Sequence, residues 1–312
     1  MESEKMLKMY VPDGNLEPFV LGLLEGAGFE PERNDREYKI RTNSNTWDFK
    51  QLRPQDQPYY VAKGYAELCI VGQDILQEFQ LGYLDIGSMV EILDVFEGRP
   101  TKLVAVVLEE NYKGIKDLKT FLDAESENLM IASEYPQITK NYILENYGIA
   151  VDVYRPQGKT EATLIGERPE MNLIIETTET GNTIRAAGGI ILETLMESKQ
   201  VAVVNSKAYS SQEKRDEINN ILEQFRGVMR VKKDNLQQLK LNVFDSGRVE
   251  SVIEYLIEQG YRPTVSNIYP DGSDICVVLP NSDIKDISPS LYGLGCIDMV
   301  VAPMERLLYP ST

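Results

Sequence analysis

Histidine is missing from all 312 residues. Its absence removes every catalytic mechanism built on imidazole, so acid or base work falls to Asp, Glu, Lys, Tyr or Cys. Cysteine is scarce: Cys69, Cys276 and Cys296 are scattered among apolar neighbours, and no Cys-x-x-Cys pair occurs. They read as buried free thiols in a reducing compartment, and with no histidine to complete a ligand set a zinc site is not expected. No stretch approaches the roughly 18 uninterrupted apolar residues of a membrane-crossing helix. The charged opening Met1 to Lys8 is not followed by a secretory apolar core, so a cytoplasmic location and no membrane partner are expected. Positive charge is also short, with 32 Lys and Arg against 49 Asp and Glu and a formal charge of -17. A nucleic-acid surface needs clustered positive charge, so no nucleic-acid partner is expected. An anionic substrate would have to be held by local devices: helix N-termini, backbone amides, a few Lys and Arg, and Mg2+.

What is present is an ordinary globular hydrophobic fraction of 42%, over a length sufficient for two or three domains. Strand-like runs at 6–11, 67–71, 102–108, 129–132, 151–154, 171–175 and 201–205 alternate with helical periods at 16–27, 74–79, 137–147 and 183–198. Pro12-Asp13-Gly14-Asn15 forms a turn, and Gly28 and Gly148 stop helices. Alternation of this kind predicts parallel sheets covered on both faces. Two such blocks predict an α/β fold of two lobes around a cleft, of the periplasmic-binding-protein type. Lobe I covers 1–105 with a return at about 200–225, and lobe II covers 106–199. A charged helix at 211–225 marks a boundary. From 226 to 312 the order changes to strand 239–243, helix 248–260, and strands 274–279 and 298–302, which fits a ferredoxin-like α+β domain.

The most informative stretch runs from Met171 to Ile184, where an apolar strand enters a Thr/Gly turn that opens a long helix. Outward-pointing amides and the positive end of a helix make a pocket for a phosphate. Thr180 and Thr183 add hydroxyl donors, and Gly181 allows the backbone close to the anion. Glu176 stands where a carboxylate reaches two ribose hydroxyls. Taken alone, the same pattern also describes a turn with an N-cap.

The stretch ETTETGNTIRAAGG at 176–189 resembles the phosphoribosyl-pyrophosphate loop of ATP phosphoribosyltransferase, the first enzyme of histidine synthesis. Ile131-Ala-Ser-Glu-Tyr135-Pro136, Gly158-Lys-Thr-Glu161-Ala162 and the run from Val61 to Leu76 resemble further segments of that family. So do Arg262-Pro-Thr-Val-Ser266 and the ending from Gly295 to Glu305, which resemble the regulatory domain of the family's long form. The resemblance implies transfer of a phosphoribosyl group to N1 of ATP, with Mg2+ on the pyrophosphate and free histidine as an allosteric inhibitor. It implies that Glu179, Thr180, Gly181, Asn182 and Thr183 hold the 5′-phosphate and that Glu176 orients the ribose. It places Tyr135 and Glu161 beside the reacting sugar or adenine, and Gly14, Arg53, Asp74 and Lys102 on the nucleotide or pyrophosphate. It gives no metal ligands, and it implies a homo-oligomer, dimer or hexamer. Three departures stand out: Asp13 and Asn15 replace the basic pair of the family's P-K-G-R-L turn, Glu176 replaces Asp, and Ala187 replaces Asn. They fit either an acidic adaptation of the same enzyme or a catalytically weak paralogue that binds nucleotide or regulates. A phosphoribosyltransferase for another base is a further alternative.

Overall fold

The computed structural model describes residues 6–34, 37–156, 160–164, 170–268 and 272–309, excepting the side chains of Arg99 and Glu161. The chain divides into two units, Met1–Leu21 with Pro31–Ile218, and Gly22–Glu30 with Asn219–Thr312.

The first lobe of the larger unit contains β1 (Leu7–Pro12), α1 (Glu17–Gly26, passing into the other unit), β2 (Lys39–Ile40), β3 (Trp47–Leu52), α2 (Gln57–Ala62), β4 (Leu68–Gly72) and α3 (Gln73–Gly82). A long strand, β5 (Val90–Leu108), leads to the second lobe of α4 (Leu118–Ala124), β6 (Ile131–Ser133), α5 (Pro136–Tyr147), β7 (Val153–Tyr154), β8 (Leu173–Thr178) and the single-turn α6 (Asn182–Ala186). A second long strand, β9 (Gly189–Asn205), returns to the first lobe and is followed by α7 (Ser206–Ser210) and α8 (Gln212–Asp234).

Local sequence explains the boundaries. Asp117 caps α4 by accepting the Thr120 N–H at 2.8 Å. Pro136 begins α5, where a missing N–H costs nothing, and Gly148 ends it in the left-handed region at φ 70°. β4 and the start of β8 are apolar without alternation because both faces are covered. Val61, Cys69, Val71, Leu76, Phe79 and Val203 pack one lobe. Leu103, Phe121, Leu122, Ile131, Ile143 and Leu173 pack the other.

Two expectations need correction. The sheet is not purely parallel: nine strands join in the order β2-β3-β1-β4-β9-β5-β8-β6-β7, with β9 antiparallel to both β4 and β5. The helix expected over 183–198 ends at Ala186. Gly188, at φ 77°, turns the chain, and Gly189 then passes so close to β5 that a Cβ would stand 2.9 Å from Val106 and Ile184. The apolar residues that follow, which mimic a helical period, belong to a strand whose register with β5 shifts repeatedly.

The smaller unit holds β10 (Leu236–Val243), α9 (Ser246–Glu258), β11 (Thr264–Ile268), β12 (Gly272–Pro280), α10 (Asn281–Gly293) and β13 (Ile297–Pro303). Its sheet order is β11-β12-β10-β13, all antiparallel, which is the ferredoxin-like arrangement. Leu239, Leu241 and Ile275 of the sheet pack on Val252, Leu256 and Leu291 of its helices.

Candidate active site

Parallel strands deliver their carboxyl ends to one edge of a sheet, where ligands of α/β proteins collect. Here β1 runs parallel to β3 and β4, and β6 runs parallel to β8. The residues that leave these strands line one cleft of about 370 Å³: Asp13 to Leu16 after β1, Arg53 after β3, Asp74 after β4, Glu134 and Tyr135 after β6, and Glu179 after β8. Thr101 of β5 and Ser198 and Gln200 of β9 line it too. A second cavity of about 470 Å³ shares Gln55, Ile75, Glu134 and Tyr135 with the first, and adds Tyr59, Tyr60, Phe79, Tyr83 and Arg155.

Asp74 is the buried carboxylate of the cleft. Its Oδ1 accepts the Ser198 hydroxyl at 2.5 Å, while its own N–H donates to the Ser198 Oγ at 3.1 Å. Burial pushes the Tyr135 phenol far above its usual range, and the Asp74 carboxylate that it hydrogen-bonds pushes it further. Tyr135 is therefore a neutral donor. Carboxylates outnumber cations along the cleft: among its described lining residues Asp13, Asp74, Glu134 and Glu179 face only Arg53.

The Thr/Gly loop stands at the cleft's edge. Thr177 and Glu179 line the cavity, whereas Thr180, Gly181, Asn182 and Thr183 lie in the turn just beyond. Gly181 has φ 74°, a left-handed conformation that glycine adopts freely. Its N–H is held by Thr178 Oγ1 at 2.8 Å, and the Asn182 N–H meets Thr180 Oγ1 only at 3.5 Å. The amides of Thr180 and Thr183 have no acceptor among the described residues. The expected long helix behind the loop is one turn, so its dipole is short and the turn's own amides supply the positive potential.

Of the other sequence-derived candidates, Gly14, Arg53, Asp74 and Tyr135 are brought together in the cleft. Lys102 is not among its lining residues and pairs with Glu197 at 3.1 Å. Glu176 Oε1 accepts the N–H of its neighbour Thr177 at 2.9 Å, and its charge contributes to raising Tyr135. Residues 157–159, and the side chain of Glu161 in the short helix Thr160–Leu164, lie outside the described residues. The sequence reading missed Ser198, Gln200 and Arg185. The Arg185 guanidinium donates to the Thr180 carbonyl at 2.6 Å and to Asn182 Oδ1 at 2.8 Å, tying the turn together. All three fell within or next to the stretch read as helix, where no cleft-facing role was visible.

Fold and site together define a class: two-lobed α/β proteins with a polar cleft where the strand ends of both lobes converge. A sequence model of the ATP phosphoribosyltransferase family matches residues 53–227. An ATP phosphoribosyltransferase of Archaeoglobus fulgidus is 32% identical over 255 residues, covering 81% of this chain and 89% of the relative. One of Trichlorobacter lovleyi is 29% identical over 305 residues, covering 97% and 99%. Among solved structures, the ATP phosphoribosyl transferase (HisG:HisZ) complex from Thermotoga maritima matches with a TM-score of 0.58 at 24% identity, covering 72% of this chain and 99% of that one. The chain belongs to the ATP phosphoribosyltransferase family. No helix among the described residues is long and apolar enough to cross a membrane.

Proposed function

We propose that this chain catalyses the first step of histidine biosynthesis, moving the phosphoribosyl group of phosphoribosyl pyrophosphate to N1 of the adenine of ATP. The observation that carries this reading is the position of the Thr/Gly loop beside five strand ends that converge on one cleft, in a member of this family over nearly its whole length.

The chemistry suits the site. The bond between ribose C1 and the pyrophosphate oxygen breaks, the electron pair of adenine N1 forms the new bond to C1, and pyrophosphate leaves with the electrons. Such a transfer depends on alignment and on stabilising separated charge more than on proton transfer, so a chain without histidine can perform it. In this reading the amides and hydroxyls of Thr180 and Thr183, with Glu179, Gly181 and Asn182 shaping the turn, take the 5′-phosphate. Glu176 addresses the ribose. Tyr135, its one proton engaged by Asp74, turns its phenol oxygen toward the reacting centre, and Arg53 faces the pyrophosphate. Glu161 is retained for the same centre on resemblance alone.

Among the described residues no three Asp, Glu or Cys converge on one point. Mg2+ is proposed as an ion that arrives on the pyrophosphate itself. The ferredoxin-like unit is proposed to bind free histidine and inhibit, and the active assembly to be a homo-oligomer.

Incubation with ATP, Mg2+ and phosphoribosyl pyrophosphate should release pyrophosphate, with release depending on ATP. Asp13 and Asn15 line the cleft where the family carries two cations, which favours a second reading as a nucleotide-binding paralogue. Tight nucleotide binding with no pyrophosphate release would select it.

A further inference from the structure

The helix that carries Tyr135 to the cleft has no capping side chain of its own. Tyr135 occupies the N-cap position of α5 without making a side-chain cap bond, and Pro136 contributes no N–H. The next two amides, of Gln137 and Ile138, would be left without intrahelical partners. Both are satisfied from the opposite lobe. Glu78 of α3 accepts the Gln137 N–H on Oε1 at 3.0 Å and the Ile138 N–H on Oε2 at 2.9 Å.

The contact extends along α3. One turn earlier on the same face, Asp74 receives the Tyr135 phenol. One turn later, a Cβ on Gly82 would stand 3.6 Å from Gln137 Cγ, an ordinary packing distance. Leu81 packs against the core of the second lobe. Two carboxylates spaced i, i+4 on a first-lobe helix therefore hold three residues at the start of a second-lobe helix. Burial pushes the Glu78 carboxyl up, opposed by its two amide bonds and by the Arg155 charge.

We propose that Glu78 is a positioning residue for the transfer reaction, capping α5 from across the cleft and thereby fixing Glu134 and Tyr135 at the mouth shared by the two cavities. The proposal rests on the transferase reading above. Its physical basis is that a cap supplied by the helix's own lobe would leave the lobes free to separate, whereas this one ties α5 to α3. Glu78 is only partly buried, so water can reach the two amides when the carboxylate is removed, and the fold should survive while the register between the lobes loosens. Bonds from a charged acceptor are the stronger kind, and small misplacements of reacting groups are costly.

The test uses the full chain with Glu78→Ala, Glu78→Gln and, as a control on the same helix, Gln77→Ala, which lies at an exposed position. Glu78→Ala should lower kcat/KM for pyrophosphate release by about tenfold or more, and amide exchange in peptides spanning 134–140 should accelerate by a similar factor. Glu78→Gln keeps one acceptor and the shape, and should recover part of both. Gln77→Ala should match the wild type. Wild-type kcat/KM in Glu78→Ala overturns the proposal, as does unchanged exchange over 134–140. A lower melting temperature with normal kinetics shows a purely structural cap and overturns it too. If Glu78→Ala fails to fold, the partial loss expected of Glu78→Gln decides, and wild-type behaviour there is refuting. If the wild type itself releases no pyrophosphate, the transferase reading fails and this role falls with it, while accelerated exchange would still establish the cap.

Discussion

Replacing Gly181 with alanine separates the backbone requirement of the Thr/Gly turn from its chemistry. Gly181 sits at φ 74°, ψ 3°, where a residue with a Cβ costs about 1–2 kcal/mol more than glycine. The new methyl would stand 2.8 Å from Arg185 Nη1 and 3.0 Å from Ile191 Cδ1, so the guanidinium must move. Losing its bond to the Thr180 carbonyl adds about 1 kcal/mol. The sum of about 2–3 kcal/mol lies below the roughly 5–15 kcal/mol that holds typical domains together, so the variant should remain folded. Its turn would be displaced by a fraction of an ångström or more, enough to lower kcat/KM for pyrophosphate release by roughly 100-fold. Gly188→Ala is the control. It carries the same kind of strain at φ 77°, but its Cβ would enter open space. Thermal melts of both variants should fall, that of Gly181→Ala by about 1 kcal/mol more, while only Gly181→Ala should lose turnover. Equal turnover in both, or wild-type turnover in Gly181→Ala, would refute the assignment of this turn to the phosphate.

Other outcomes are expected elsewhere in the chain. Gly72→Ala should destabilise by about 1–3 kcal/mol, because a Cβ there runs into the Asp74 carboxylate and comes within 3.2 Å of Ser198 Oγ; an unchanged melting temperature would refute the close approach. Under native conditions a thiol reagent should leave Cys69 and Cys296 unlabelled, since both are buried and burial pushes Cys296 up to about 11 and Cys69 higher still; rapid labelling of either would refute that packing. In the smaller unit, the Tyr261 hydroxyl followed by that of Ser282 holds the Asp283 carboxyl below its ordinary value. A lowered folded-state value contributes stability above the unfolded value and loses it as pH falls through the folded one. The melting difference between wild type and Tyr261→Phe should therefore be largest near neutrality and shrink on acidification below pH of about 4; a difference that grows there would contradict the Tyr261 bond.

The parts legible in the sequence were those with a local physical signature. The unalternating Leu68–Gly72 and the glycine stop at Gly148 declared a buried strand and a helix end. The Thr/Gly stretch after the Met171–Ile175 run declared a turn that opens a helix, and the structure holds that turn with Gly181 at φ 74°. Non-local pairing was not legible. The first half of β5 carries Glu91, Asp94, Glu97 and Pro100 and does not look like a strand; it becomes one only because β9 lies beside it. Reading 183–198 as helix hid Ser198, whose contact with Asp74 spans 124 residues of chain. Glu78 escaped notice for the same reason, since its partners lie 59 and 60 residues away and are backbone amides, which no side-chain motif reveals.

The placement of β9 between β4 and β5 has a consequence for how the larger unit can be made and cut. A fragment ending near residue 105 would present β4 and most of β5 with no strand to bridge them, and a fragment beginning there would carry β9 without β4 and with only the last residues of β5. Neither piece should fold by itself. The register that joins Val90 to Asn205 closes only after more than a hundred intervening residues have been synthesised, so assembly of this unit should be slow and all-or-none, and split halves should regain structure only when mixed.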